Sequence, residues 1–190
     1  MKRQSFVLFS SVVMLLFVVS CTPQAIGPKN LYVTIENGSA FPEYLVGTWI
    51  QEGDQKRAFT FTSDGKLESI VLGLGQVKLK PGQVTTISLK NDGQGVFYPG
   101  VWTASYDSKT RQLGIEINID SFKMQMGQQI VEGKMKELFI GTISEDGTMW
   151  NAQYICFPEY YATTETVEKK LIVSSEDMQE EAILLLKSRN

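Results

Sequence analysis

Two cysteines and no histidine limit the chemistry open to this 190-residue chain. Cys21 follows Val18-Val19-Ser20 and an apolar run from Phe6 to Val19 that only Ser10 and Ser11 interrupt. Cys156 sits in Tyr154-Ile155-Cys156-Phe157, an apolar setting that suits a buried, inert thiol. Without histidine there is no Ser-His-Asp or Cys-His arrangement, and the commonest metal ligand is missing. So is the side chain that titrates nearest neutrality. Acidic pairs such as Glu145-Asp146 and Glu180-Glu181 read as solvated charges in a turn and on a surface. No phosphate-cradling glycine loop, zinc-ligand spacing or nucleophile elbow is present. These features point away from an enzyme, and no cofactor or metal is expected.

Lys2 and Arg3, the apolar run and the small Ser20 form the pattern of an export signal over residues 1–20. The run is too short for a membrane-spanning helix, which needs about 20 apolar residues. Val18-Val19-Ser20-Cys21 resembles the bacterial lipobox: an aliphatic residue, a tolerant position, a small residue and a cysteine. The resemblance implies a thioether-linked lipid on Cys21, cleavage before it, and acylation of the new amino group. Each buried methylene then contributes roughly 0.8 kcal/mol to anchorage. Thr22 stands where an aspartate would resemble an inner-membrane retention signal. The expected address is therefore the bacterial cell envelope, on the outer membrane facing the periplasm.

Residues 1–20 hold Lys2 and Arg3 and no acid. Removing them leaves 16 basic and 21 acidic residues, a net charge near −5. That balance argues against nucleic acid, which needs clustered Lys and Arg. Residues 21–43 read as the lipidated cysteine and a tether, with Leu31–Ile35 as an extended arm, and residues 44–190 as one domain. From there, short strands recur between glycine turns such as Ser63-Asp64-Gly65 and Glu145-Asp146-Gly147. Leu113, Ile115, Ile117 and Ile119 alternate with polar residues, the mark of a strand with one wet face. Val96–Tyr106 reads as a long strand bent at Pro99-Gly100, and 121–128 as a loop holding Phe122 and Met124. Residues 176–188, rich in Glu, Met, Ala and Leu, read as a helix. The expected fold is all-β and mainly antiparallel: a barrel of about 8–10 strands with a C-terminal helix.

Tyr44-Leu45-Val46-Gly47-Thr48-Trp49 and the hairpin Phe59–Leu67 resemble the start of a bacterial lipocalin-like domain of the calycin group. The resemblance implies an up-and-down β-barrel with Gly47 and Trp49 at its floor, the ring plugging the closed end. Trp102 and Tyr106, like Trp150 and Tyr154, are four residues apart and so share a strand face. These four line a ligand cavity on one reading and form ordinary core on the other, while Met124 lines its mouth or lies in a plain loop tucked on the barrel. Two functions stay open. One is a membrane-anchored envelope lipoprotein binding a small apolar ligand. The other is a filled-barrel interaction module for another envelope protein, motivated by the apolar Ile183–Leu186 and the aromatic Phe157–Tyr161 stretch.

Overall fold

The computed structural model describes residues 27–38, 40–54, 56–73, 77–89, 93–164 and 167–188. The export signal, Cys21 with its expected lipid, and the first residues of the tether lie outside them. The chain forms β1 (Leu31–Tyr32), β2 (Thr34–Glu36), a 3-10 turn (Glu43–Leu45), β3 (Gly47–Gln51), β4 (Ala58–Phe61) and β5 (Lys66–Val71). Next come β6 (Lys78–Leu79), β7 (Thr85–Ser88), β8 (Gln94–Pro99) and β9 (Thr103–Asp107). Three long strands follow, β10 (Gln112–Met126), β11 (Gln129–Ile143) and β12 (Met149–Thr164), and then β13 (Val167–Val173) and β14 (Gln179–Lys187).

All fourteen strands join one curled sheet, antiparallel except where β2 runs parallel to β9. Its spine is a meander in which β3, β4 and β5 pair in sequence order, and β9, β10, β11, β12 and β14 do likewise. Antiparallel neighbours need only short turns, which the Asp-Gly pairs at 64–65 and 146–147 supply. β14 returns to pair with β3. On the other side, residues 31–36 bridge the gap. Leu31 and Tyr32 pair with β5, Val33 N–H donates to Gly65 O at 2.9 Å, and Thr34–Glu36 pair with β9. The proximal half is thus barrel-like. The distal half fans out through β7, β8, the far ends of β10–β12, and β13.

The core follows from the alternation. Leu113, Ile115, Ile117 and Ile119 are buried, and opposite them lie the buried Met135 and Phe139 of β11. Trp49, Phe59, Phe61, Tyr106, Trp150 and Leu185 are fully buried in the same cluster. Phe59 meets Phe139 and Trp150 edge-on, at 4.8 and 5.4 Å between ring centroids. In the distal half, Phe122 and Tyr160 meet edge-on at 5.2 Å, both paired to Gly133, where a Cβ would run into the Glu159 carbonyl.

Three expectations are corrected. The C-terminal helix is strand β14, and the described residues hold no α-helix. Its Glu, Ala and Leu residues favour a helix weakly. Pairing with both β12 and β3, and burial of Ile183 and Leu185 at alternate positions, decide the outcome. The expected loop at 121–128 is strand down to Met126, because Phe122 buries while Ser121 and Lys123 face out. Ile130–Met135 and Leu138–Ser144, which read as two strands on their sequence, are the single β11. The long strand bent at Pro99-Gly100 is present as β8 and β9, both paired to β10.

Candidate functional site

Trp102, Tyr106, Trp150 and Tyr154, cavity lining on one reading and core on the other, are all buried in the core cluster. Trp102 donates its indole N–H to Asn118 O at 2.9 Å. The Tyr106 hydroxyl lies 2.5 Å from that of Tyr44, and burial pushes its pKa upwards. Trp150 and Tyr154 share the inner face of β12, as their spacing requires, and pack on Phe59 and Phe139. Met124 lies apart from them, half-buried on distal β10. Trp49 is fully buried and donates its indole N–H to Leu45 O at 3.0 Å. Gly47 begins the same strand with φ +112°, a conformation that side chains other than glycine's strain to adopt.

One polar cluster penetrates this apolar interior. Arg57 donates to Gln51 Oε1 at 2.8 Å, and its guanidinium lies 3.8 Å from the centroid of the Tyr154 ring. Tyr154 donates its hydroxyl to Glu137 Oε1 at 2.9 Å. Burial raises the Glu137 pKa, and the Tyr154 bond and the Arg57 charge only partly oppose it. Burial also pushes the Cys156 thiol up to about 11, so it stays protonated and poorly nucleophilic. The inward alternation Met135, Glu137, Phe139 would have placed this carboxyl inside from sequence alone. Arg57, which acts on Glu137 through its charge and pairs with Glu181 at 4.0 Å, has no such signal.

The open site lies on the outer face of the distal half. Both ladders of β10 slip register between Ile119 and Phe122, and such a bulge sharpens local twist. Beyond it, Ser121, Lys123 and Gln125 face outwards, while Phe122 stays with the core. The outward face forms a groove of about 570 Å³ with Tyr98 on β8, Lys123 on β10, Glu132 and Lys134 on β11, and Tyr161 on β12. A second hollow of about 300 Å³ shares Asp120, Lys134 and Glu159 with it and reaches Phe157. Together they make one trough.

Most of the charges that line the trough are paired, and Lys123 and Asp120 line it without a salt bridge among the described residues. Lys134 meets Glu159 at 3.2 Å, Lys169 meets Glu132 at 2.5 Å, and Lys136 meets Glu116 at 2.9 Å. Tyr161 donates its hydroxyl to Glu159 Oε1 at 3.0 Å and carries the Lys169 ammonium 4.5 Å from its ring centroid. Sequence reasoning singled out Phe157–Tyr161 as an aromatic patch, but it did not join that patch to Tyr98 or to these lysines. Among the described residues, no group of three or more carboxylate or thiol side chains converges as a metal site. No family model matches the sequence, and no curated protein or solved structure is significantly similar to it.

Proposed function

We propose that this chain is a lipid-anchored lipoprotein of the bacterial envelope whose lipocalin-like barrel is a solid scaffold for a binding surface. The export-signal pattern and Val18–Cys21 support the anchor. The meander that begins at Gly47 and Trp49 and closes through β14 supports the lipocalin-like reading. One observation carries the functional part. The interior is occupied by Trp49, Phe59, Tyr106, Phe139 and Trp150, whereas the hollow of about 570 Å³ is on the outside of the fanned sheet. The trough offers fixed aromatic and polar groups, which suit binding.

The test uses full-length protein in cells. A photoreactive phenylalanine analogue is placed at Ser121 in the trough or at Gln153 on the barrel wall. Ser121 is expected to capture a ligand and Gln153 not. Equal capture from both positions, or an apolar molecule extracted from inside the purified barrel, would overturn the trough reading. For the anchor, Cys21→Ser is expected to move the protein from the detergent to the aqueous phase; unchanged partitioning sinks that part.

A further inference from the structure

We infer that the outer trough binds an uncharged polysaccharide chain, an inference that rests on the binding reading above. Three partly exposed rings mark its course: Tyr98 on β8, and Phe157 and Tyr161 on β12, with Lys169 already over the Tyr161 ring and, among the described residues, no cation over Tyr98 or Phe157. Phe157 and Tyr161 are four residues apart on one strand face, hence about 13 Å apart along it. Rings spaced in this way suit a chain with repeated flat, weakly electropositive C–H faces, as pyranose sugars have, because such faces stack on electron-rich ring faces.

The charges point the same way. Lys134, Lys136 and Lys169 are each held by a carboxylate, from Glu159, Glu116 and Glu132 respectively. A polyanion would have to break these pairs or rest on Lys123 alone, and a polycation would have to displace the lysines or rest on Asp120 alone. A hydroxyl instead both donates and accepts, so it can bridge a pair without breaking it. The Tyr161 hydroxyl, bonded to Glu159, fixes both the ring and the carboxylate before a ligand arrives, which lowers the ordering cost of binding. A peptide fits less well. An extended peptide is held chiefly by backbone rungs at a free sheet edge, and this trough lies on the face of strands already paired on both sides.

The experiment measures binding of the full-length protein, in detergent, to neutral hexasaccharides (cello-, chito-, malto- and mannohexaose), with a heparin fragment and a neutral peptide as comparators. At least one neutral sugar is expected to bind. Tyr98→Ala and Phe157→Ala should each weaken it by roughly three- to tenfold, and Tyr98→Phe should restore it. Raising salt from about 0.05 to 0.5 M should change the affinity little, since the paired charges present no net field. Loss of binding in Tyr98→Ala counts only if its unfolding temperature matches the parent's. If no neutral sugar binds while Ser121 captures a protein, the polysaccharide inference falls and the trough stands. If sugars bind but Tyr98→Ala and Phe157→Ala have no effect, the inference also falls.

Discussion

Tyr154 donates its hydroxyl to Glu137 across 2.9 Å, and it is the hydrogen-bond donor that this fully enclosed carboxyl meets. Tyr154→Phe removes that donor and leaves the carboxyl buried with only the Arg57 charge to offset it. A loss of about 1–3 kcal/mol at neutral pH is expected, read from denaturant unfolding. A loss below a few tenths would show that the bond contributes nothing.

The same carboxyl sets a pH dependence. Its folded pKa is raised above the ordinary 4.5, so its contribution to stability is full below that pH and is lost as pH rises through the folded value. Glu137→Gln keeps an acceptor for Tyr154 but cannot ionise. Relative to the parent, its unfolding temperature should therefore climb as pH is raised from about 4 towards 8. Thermal scans of both proteins across that range check this, and a constant difference would refute it.

Cys156 is buried, and its thiol is pushed up to about 11. Alkylation of native protein at neutral pH should be slow and should become fast only with unfolding. Stoichiometric labelling of the folded protein within minutes would contradict this placement.

Strand β14 makes a sharp contrast between neighbours. Leu185 is fully buried and Leu186 is 39% exposed. Leu185→Ala should cost about 2–5 kcal/mol, and Leu186→Ala less than about 1. Comparable losses at the two positions would argue against a strand with alternating faces.

Trp49 and Gly47 make a paired prediction at the start of β3. Trp49→Ala, at a site with no solvent exposure, should cost about 3–5 kcal/mol. Gly47→Ala should cost about 1–3 kcal/mol through its φ of +112° alone, since the nearest atom to an added Cβ is Lys187 Cε at 3.6 Å. Equilibrium unfolding of both variants checks the two figures.

Sequence carried much of the fold because alternation is a local signal. Leu113 to Ile119 showed its buried face directly, and the Asp-Gly turns marked the hairpins. Ser121 to Gln125 alternates as well, but its apolar positions are Phe122 and Met124 among amides and lysine, a pattern easily read as loop. Gln179 to Lys187 misled for a different reason, since its residues favour a helix in isolation and only its two strand neighbours reverse that. The trough was invisible because Tyr98, Lys134 and Tyr161 meet only through the β8–β10–β11–β12 register, which the bulge after Ile119 resets. Register is a property of pairing that no single strand encodes.

The bridge formed by Leu31–Glu36 has a mechanical consequence. A pull on the chain at Gly27, which packs beside Gly82 and Gly100, passes on to this short span, stitched to β5 on one flank and to β9 on the other. Tension along its axis loads both sets of stitches together, in shear, so they must rupture as a group and cannot be peeled away one after another. The barrel-like half is therefore held at its own seam, and tension along residues 31–36 would load that seam before the fanned sheet.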